Sequence, residues 1–319
     1  MTGSDRRTLA EIAHEYYSNG LTQAAIAEKF GISRPLVSRK LTEARDKGIV
    51  KIFIDDYEKE ISAMEQQFLT IFNLKGIRIA SVPTDDVALS VQITAQLGAR
   101  YLSEFINDGD RLGVGWGWTL YEMSKAFKQQ DFSVEMVCQL TGSVDNAHTR
   151  GYSNEIVGNF AKKLNAASAY TLPCPVMVDN VIISDTLRHD AKIRELLNRG
   201  STCNKFLINI ALPDRESCLY QAGYLDDADL ETLTKSGSVG SVNCRFFNEH
   251  GEVSDQDIDN RTMGISIDQI KNADCVLACI TGKQKAEAVY IALKHELINV
   301  LVIDSQTAEA ILDLAGASS

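Results

Sequence analysis

Apolar residues in the first fifty positions recur three or four residues apart, which places their side chains on one face of an α-helix. The first such stripe predicts a helix over residues 6–17, ended by Asn19 and Gly20. Two shorter helices are predicted within residues 22–47, with apolar stripes formed by Ala24, Ile26, Ala27, Phe30, Val37 and Leu41. The first helix would pack across this pair and complete a three-helix core.

The junction between the two short helices has the residues of a tight turn. Gly31 tolerates the positive φ that such a turn requires, and Ala27 leaves room for a close helix crossing. The hydroxyls of Thr22 and Ser33 can each cap the helix that follows. This pattern is typical of a helix-turn-helix, whose second helix enters the DNA major groove. The alternative is an ordinary helical hairpin.

Apolar runs with a β-branched bias appear after residue 48. The run IVKIFI at residues 49–54 predicts a strand or short wing beside the DNA-binding helices. Residues 57–72 return to helical spacing, and this helix is either a junction between two domains or the first helix of the second domain. We expect a helix-turn-helix domain over residues 1–56 and an effector-binding and oligomerisation domain over residues 57–319.

From residue 77, seven apolar runs alternate with helical patterns. The runs are IRIASV, RLGVGW, VEMVCQL, SAYTLPCPVM, FLINIAL, CVLACIT and VLVID. The helical patterns lie near residues 86–106, 118–129, 153–165, 187–199, 284–296 and 305–315. Such alternation predicts an α/β fold, a Rossmann-like parallel sheet with helices on both faces.

Charge favours DNA binding over an ordinary hairpin. Residues 29–51 hold seven basic and two acidic residues, whereas the whole chain holds 32 basic and 43 acidic residues, a net charge of −11. A basic helix on an acidic chain is the electrostatic footprint of phosphate contacts. Arg34 and Arg39 are candidates for base or adjacent phosphate contacts. The full set of candidate DNA-binding residues is Thr22, Gln23, Ser33, Arg34, Pro35, Ser38, Arg39 and Lys40.

Composition narrows the remaining classes. A chain of 319 residues with 45% hydrophobic residues is long enough for two globular domains. The N-terminus is too polar for a signal peptide and no apolar run reaches membrane length, so we expect a cytoplasmic protein without a membrane partner. Seven cysteines, none in a C-x-x-C pair, are expected to be small buried hydrophobes. Five scattered histidines have no ligand spacing, so neither a metal nor a cofactor is predicted.

Three loops at predicted strand ends have the chemistry of a binding site. In the first, Gly115 and Gly117 expose backbone N–H groups and Thr119 adds a hydroxyl at a helix start. Its G-x-G-x-G spacing lacks the dinucleotide fingerprint and favours a sugar or a phosphate, although the glycines could serve only a tight turn. In the second loop, residues 141–143 follow a strand and precede a helix that begins within residues 152–155. The hydroxyls, the side-chain amide and the free backbone N–H groups of these two segments suit a neutral polyol or a phosphate.

The third loop, residues 281–286, contains two lysines. Lys285 in the first turn of a helix opposes the helix dipole, which makes it a candidate for holding an anionic ligand. A solvated surface position is an equal alternative for Lys283. The chain has no G-x-S-x-G, P-loop or H-E-x-x-H motif and no identifiable acid pair. We therefore predict no catalytic residues and a protein that is not an enzyme.

The chain resembles the SorC family of sugar-responsive bacterial transcription regulators. The residues that carry the resemblance are YYSNGLTQAAIAEKFGISRPLVSRKLTEARDKGIV, GDRLGVGWGWTLYEM, NEIVGNFAKKL, GSVGSVNCRFFNEHG, NRTMGISI and TGKQKAEAVYIALKHELINVLVIDSQTAEAIL. Within the family, YSNE, LPCPVMVDN and NCRFFNEHG look most like the deoxyribonucleoside regulators. The helix-turn-helix alone is common to many families, whereas its combination with GVGWG and KAEA is specific.

The resemblance implies an effector domain of the ribose-phosphate isomerase and glucosamine-phosphate deaminase type. It also implies a sugar effector, often phosphorylated, and a dimer or tetramer of this chain. The effector-binding residues that it implies are Gly115, Trp116, Gly117, Trp118, Thr119, Thr141, Gly142, Ser143, Asn154, Asp179, Arg245 and Lys285.

The chain departs from the usual family pattern at three places. Ser241 ends a segment, Ser238-Val-Gly240-Ser241, in which the family usually has A-V-G-D, so an acidic partner for sugar hydroxyls is missing there. Thr281 precedes Gly282 where paired glycines are common, and bulky Trp118 replaces a small hydroxyl residue.

Taken together, the helix-turn-helix, the polar loops and the resemblance predict a regulator of a carbohydrate catabolic operon. It would bind double-stranded operator DNA under the control of a sugar or sugar phosphate. The alternative is a sugar-phosphate isomerase or deaminase with an added DNA-binding domain.

Overall fold

A computed structural model of the protein describes residues 3–17, 19–47, 49–50, 55–82, 86–144 and 153–317. The chain divides into two compact units, Met1–Lys59 and Glu60–Ser319.

The first unit contains the three helices α1 (Gly3–Tyr17), α2 (Gln23–Phe30) and α3 (Arg34–Asp46). Their shared core consists of Leu9, Ile12, Ala13, Ile26, Val37, Leu41 and Ala44, all buried. Ala24, which the periodicity assigns to the apolar stripe, is instead exposed, because the buried face of this two-turn helix is centred on Ile26. The strand or wing predicted at residues 49–54 lies outside the described residues except at its first two positions.

The turn between α2 and α3 has the predicted backbone. Thr22 caps α2 by accepting a hydrogen bond from the N–H of Ala25 at 3.2 Å. Gly31 takes φ +63°, and the N–H of Ile32 closes the helix end by donating to the carbonyl of Ala27 at 3.0 Å. Ser33 occupies the N-cap position of α3, but its side chain makes no capping bond. The residue two positions on is proline, which lacks one of the N–H groups that a capping hydroxyl would accept.

The second unit alternates strands and helices. Its elements are α4 (Asp55–Ile71), β1 (Gly76–Ala80), α5 (Val87–Leu102), β2 (Arg111–Val114), α6 (Trp118–Ala126), β3 (Met136–Gln139), α7 (Ser153–Lys163), β4 (Ser168–Tyr170), α8 (Val181–His189), α9 (Ala191–Ser201), β5 (Lys205–Ile208), β6 (Ile210–Ala211), α10 (Cys218–Gln221), α11 (Asp227–Lys235), β7 (Ser238–Val242), β8 (Arg245–Asn248), α12 (Gln256–Arg261), α13 (Ile267–Lys271), β9 (Cys275–Ile280), a 3₁₀ turn (Lys283–Lys285), α14 (Ala286–Lys294), β10 (Val300–Asp304) and α15 (Ser305–Ala317).

Seven strands form one parallel sheet in the order β1-β10-β9-β5-β2-β3-β4. Each of the seven predicted apolar runs contributes one of these strands, so the predicted α/β class with a parallel sheet is confirmed. Successive residues face opposite layers: Phe206 and Ile208 pack in one core cluster, and Leu207 between them packs in the other. All seven cysteines lie in the described part of the chain as thiols, and six of them are buried.

Two features differ from the sequence prediction. The pattern at residues 187–199 is not one helix, because Asp190 leaves the helical backbone and caps α9 by accepting from the N–H groups of Lys192 and Ile193. A second, antiparallel sheet of order β6-β7-β8 was not predicted at all. Its first strand, β6, is only the two-residue end of the apolar run that also contains β5, and β7 and β8 include serine, glycine, arginine or asparagine and form no continuous apolar run.

The strand order reverses between β2 and β5. After β2 the chain builds outward through β3 and β4, and it then returns to the other side of β2 with β5 and continues through β9 and β10. Such a reversal creates a crevice at the carboxyl ends of β2 and β5. In open α/β sheets the connections that follow two such strands run to opposite faces of the sheet, so the space between them stays open.

Candidate functional site

A cavity of about 550 Å³ lies at the carboxyl ends of β2, β5 and β9. Its size is that of a small-molecule site. The polar part of its wall comes from the loop after β2, the segment from Asn209 to Gln221 after β5, the β7–β8 hairpin and the loop after β9. The lining residues are Val87, Val91, Trp116, Gly117, Trp118, Thr119, Asn209, Ala211, Leu212, Asp214, Glu216, Ser217, Cys218, Leu219, Gln221, Ser241, Asn243, Cys244, Phe246, Thr281, Gln284 and Lys285.

The glycine-rich loop after β2 has no room for a side chain at either of its two glycines, Gly115 and Gly117. Gly117 begins α6 with φ +137°, and a Cβ there would lie 2.5 Å from Nδ2 of Asn209. A Cβ on Gly115 would lie 2.7 Å from Oδ1 of Asn243. The first turn of α6, with its partial positive charge, therefore lies at the cavity wall beside two side-chain amides.

Lys285 supplies a positive charge to the same cavity. Its side chain is half-buried, and its ammonium has no hydrogen-bond or ion-pair partner among the described residues. Burial lowers the pKa of Lys285, and the nearby Cys218, Asp214 and Asp304 only partly oppose that effect. A cation held in a crevice without a close counter-ion is a place where a bound anion gains free energy.

The backbone before Lys285 is held by Asp304. The buried carboxylate of Asp304 accepts from the N–H of Gly282 at 3.0 Å and from the N–H of Thr307 at 2.9 Å. Gly282 has φ +111°, which favours glycine. The hydroxyls of Thr281 and Thr119 are 3.5 Å apart and join this loop to the start of α6.

Five of the residues proposed from the sequence line the cavity: Trp116, Gly117, Trp118, Thr119 and Lys285. The departures at Ser241 and Thr281 line it as well. Gly115 lies behind the wall against Asn243. Acidic groups enter the lining at Asp214 and Glu216, away from position 241.

The loop after β3 supports the cavity from the next strand. Thr141 is buried, and its Oγ1 accepts a hydrogen bond from the Trp116 indole Nε1 at 2.9 Å. A Cβ on Gly142 would collide with the carbonyl of Pro175, so this glycine allows a close chain crossing. Ser143 accepts from the side-chain amide of Gln139 at 3.0 Å. None of these three residues belongs to the lining.

The remaining candidates also lie outside the lining. Asn154 and Asp179 are exposed at other places of the domain. Arg245 is buried, and its guanidinium donates to the carbonyls of Ile265 at 3.0 Å, Gly264 at 2.9 Å and Asp259 at 2.6 Å. It also pairs with the Asp259 carboxylate at 2.9 Å. These contacts occupy Arg245 within the fold.

Sequence reasoning missed several polar lining residues, above all Asn209, Asp214, Asn243 and Gln284. Asn209 interrupts the apolar run FLINIAL just where β5 ends, which is the local signal that could have identified it. Asn243 and Asp214 carry no such signal, because the small sheet that brings them to the cavity was not predicted.

The first unit has a separate, basic polar surface on α3. Ser33, Arg34, Pro35, Ser38 and Arg39 are exposed, while Lys40 and the α2 residue Gln23 are half-buried and Thr22 is exposed. Within the described part of the chain no salt bridge uses Arg34, Arg39 or Lys40. Their charges therefore remain available to an external anion.

The described ranges of the chain contain neither a metal-binding cluster nor a membrane-spanning helix. No group of three or more metal-ligating side chains occurs among the described residues. Within the same residues, no helix has the length and apolar character needed to cross a bilayer.

Comparisons with known proteins agree with both units. Residues 57–313 match the family described as "Putative sugar-binding domain", and residues 1–51 match the one described as winged helix-turn-helix DNA-binding. The chain is 30% identical over 303 residues to the deoxyribonucleoside regulator of Bacillus subtilis (strain 168), covering 95% of this chain and 96% of that protein. It is 26% identical over 324 residues to the transcriptional regulator LsrR of Enterobacter sp. (strain 638), covering 98% and 95%.

The fold matches a solved full-length regulator. The sorbitol operon regulator SorC from Klebsiella pneumoniae superposes with a TM-score of 0.75 at 25% identity, covering 97% of this chain and 99% of that one. A helix-turn-helix unit followed by an α/β domain with a polar cavity defines a sugar-responsive, DNA-binding transcription regulator. The chain belongs to the SorC family of such regulators, which confirms the resemblance noted in its sequence.

Proposed function

We propose that a phosphorylated sugar, bound in the cavity at the ends of β2, β5 and β9, controls the affinity of this regulator for operator DNA. The observation that carries the proposal is Lys285, which lines the cavity and whose ammonium has no partner among the described residues. A phosphate beside Lys285 would form a charge-assisted hydrogen bond with its ammonium. It would also be attracted to the partial positive charge at the N-terminus of α6. Hydroxyls and amides elsewhere in the wall suit the sugar.

The sugar site that we propose differs from the set drawn from the sequence. It keeps Trp116, Gly117, Trp118, Thr119 and Lys285 and adds Asn209, Asp214, Ser241, Asn243 and Thr281. Asp214 supplies the acidic partner for sugar hydroxyls that Ser241 cannot. Thr141, Gly142, Ser143 and Arg245 take supporting positions in this proposal, because their contacts are already made within the protein.

On the DNA side, we propose that α3 enters the major groove. Arg34 and Arg39 would contact bases or adjacent phosphates, and Ser33 and Ser38 would position the helix on the backbone. Two such units in a dimer or tetramer would read two half-sites, whose spacing follows from the symmetry of the assembly. Operator binding places the protein in the cytoplasm. We assign the cavity to binding without catalysis, because the relatives are named as transcription regulators.

The proposal is tested by replacing Lys285 with methionine, which has a similar length but no charge. Binding of ribose 5-phosphate and glucose 6-phosphate, and of ribose and glucose, is measured by calorimetry. We expect Lys285→Met to lower the affinity for the phosphorylated ligand by about tenfold or more, because a hydrogen bond between charged groups contributes a factor of that order to binding. The unphosphorylated form should change little.

Lys283→Met is the matched control, because Lys283 lies two residues away, is exposed and does not line the cavity. It should leave both affinities unchanged. Equal losses for the phosphorylated and unphosphorylated forms in Lys285→Met would show that Lys285 does not hold the phosphate. Absence of any sugar-phosphate binding to the unmodified protein would contradict the proposed function itself.

A further inference from the structure

The tip of the β7–β8 hairpin presents a buried side chain whose hydrogen-bonding capacity is unused. Asn243 is 5% exposed, and it lines the cavity. Neither its Nδ2 nor its Oδ1 has a hydrogen-bond partner among the described residues. Buried polar atoms are nearly always paired in folded proteins, so an amide that lacks both partners indicates an absent external one.

The backbone keeps this amide in place with an uncommon turn. Asn243 and Cys244 are the two central residues of a two-residue hairpin loop, with φ values of +47° and +63°. Asparagine is well suited to the first position of such a turn, whereas cysteine is a poor residue for the second, where glycine is preferred. The hairpin thus holds a strained conformation at the position that borders the cavity.

The neighbouring loops approach the amide closely without giving it a hydrogen-bond partner. Gly115 has no side chain at the point where a Cβ would come within 2.7 Å of Asn243 Oδ1. Gly117 makes the same allowance for the amide of Asn209, at 2.5 Å from its Nδ2. Two amides from different elements therefore flank the glycine-rich loop, and both line the cavity that contains Lys285.

We infer that Asn243 contacts the sugar part of the effector and selects ligands that carry adjacent hydroxyl groups. A hydroxyl both donates and accepts, so two neighbouring hydroxyls can satisfy Oδ1 and Nδ2 together. A phosphate dianion only accepts, and it would leave Oδ1 unpaired. This inference rests on the proposed function and extends it, because it assigns the polyol end of the ligand to the hairpin and the phosphate end to Lys285.

The site should therefore distinguish ligands by whether they carry the hydroxyl groups that Asn243 binds. A site built to hydrogen-bond a hydroxyl rejects an analogue that lacks it, since its buried polar groups then stay unpaired. Inorganic phosphate lacks the sugar altogether, and it should therefore be insensitive to changes at Asn243.

The test uses Asn243→Gly in the full-length protein. Glycine accepts the left-handed backbone of this position and removes the side chain with its amide. Calorimetry compares ribose 5-phosphate, glucose 6-phosphate and inorganic phosphate. We expect the tighter of the two sugar phosphates to lose about tenfold or more in affinity, while inorganic phosphate changes less than about twofold.

Asn165→Gly is the matched control. Asn165 has the same φ of +47°, is exposed and lies outside the cavity, where its amide donates to the carbonyls of Gln130 and Phe132. This variant should lose stability but keep both affinities. If Asn243→Gly does not fold, Asn243→Ala keeps the Cβ while removing the amide, and it should weaken binding of the same sugar phosphate to a similar extent.

An unchanged sugar-phosphate affinity in Asn243→Gly, or in Asn243→Ala where that variant is needed, would overturn the inference. Equal losses for the sugar phosphate and inorganic phosphate in Asn243→Gly would overturn it as well. Both results leave the proposed function standing if binding still depends on Lys285. Failure of the unmodified protein to bind any of these ligands would remove the proposed function and this inference together.

Discussion

At the scale of single residues, we expect Lys285 to make ligand binding in the cavity depend on pH. Burial, the largest influence, lowers its pKa below that of an ordinary lysine. Because the folded-state pKa is lower than the unfolded one, the unfolded chain binds this proton more strongly. The proton therefore opposes folding at neutral pH, and that effect disappears as the pH rises through the lowered pKa toward the ordinary lysine value.

Phosphate binding should consequently fall at alkaline pH. The uncharged amine cannot hold an anion, so we expect the affinity for glucose 6-phosphate or ribose 5-phosphate to decrease as the pH rises from 7 through the lowered pKa of Lys285. Calorimetry across that range measures it. In Lys285→Arg, whose guanidinium stays protonated, the fall should be absent. The same decline in both proteins would mean that another group controls it.

Lys285→Met should also raise the stability of the ligand-free protein. Removing a partly buried cation that lacks a close counter-ion relieves a desolvation penalty. We expect the melting temperature to rise by about 2–4 °C, which corresponds to roughly 1 kcal/mol in a domain of this size. Lys283→Met, on exposed surface, should shift it by less than about 1 °C. A lower melting temperature for Lys285→Met would show that its ammonium stabilises the fold.

At the scale of elements, the β7–β8 hairpin depends on the buried Arg245. Its guanidinium contacts three carbonyl oxygens and the Asp259 carboxylate, and Gly264, one of those partners, pairs with Thr141 behind Trp116. Arg245 thus connects the hairpin, through Gly264 and Thr141, to Trp116 in the loop after β2.

Arg245→Met should destabilise the protein by about 3–5 kcal/mol, because it leaves the largely buried Asp259 carboxylate and three carbonyls without their donor. Urea unfolding followed by circular dichroism measures this loss. Arg215→Met is the control, since Arg215 pairs with Asp227 on exposed surface and should contribute less than about 1 kcal/mol. Similar losses in the two variants would remove the structural role assigned to Arg245.

The helix α3 carries the prediction for DNA. Arg39→Ala should weaken binding to a duplex selected from a random pool by the unmodified protein by about tenfold or more, as expected for loss of a base contact. Fluorescence anisotropy of the labelled duplex measures it. Arg7→Ala removes an equal charge from the exposed face of α1, where Arg7 pairs with Glu11, and should have a smaller effect. Equal effects would argue against α3 as the recognition helix.

How far the sequence predicts the elements depends on local pattern. The seven parallel strands were visible because strands buried on both faces are continuous apolar runs, as in CVLACI. The helix-turn-helix was visible through Gly31 and Thr22, whose backbone and capping roles are local. The small sheet escaped prediction because β6 has two residues and β7 contains Gly240 between serines and valines.

For the whole molecule, the same division separates the predicted from the unpredicted part of the site. Residues in the loops that follow strands of the large sheet, such as Gly117 and Lys285, could be proposed from sequence, because the carboxyl ends of parallel strands meet at one edge of the sheet. Asn243 and Asp214 could not, since tertiary folding of the small sheet and its neighbouring segment brings them to the cavity. The family resemblance implied that Arg245 binds the effector, whereas in the structure its guanidinium contacts carbonyls and a carboxylate of the protein itself.

The regulatory claim is that ligand and DNA binding are coupled. An effector can alter DNA affinity only through different affinity for the states that do and do not fit the operator. The coupling is also reciprocal, so DNA must change the affinity for the ligand by the same factor.

The most direct test measures the affinity of the full-length protein for the selected duplex by fluorescence anisotropy, with and without saturating ribose 5-phosphate or glucose 6-phosphate. We predict that the sugar phosphate that binds changes the dissociation constant of the duplex by about fivefold or more. Lys285→Met should bind the duplex normally without responding to the ligand. An unchanged dissociation constant in the unmodified protein, at a ligand concentration that calorimetry shows to be saturating, would contradict the account.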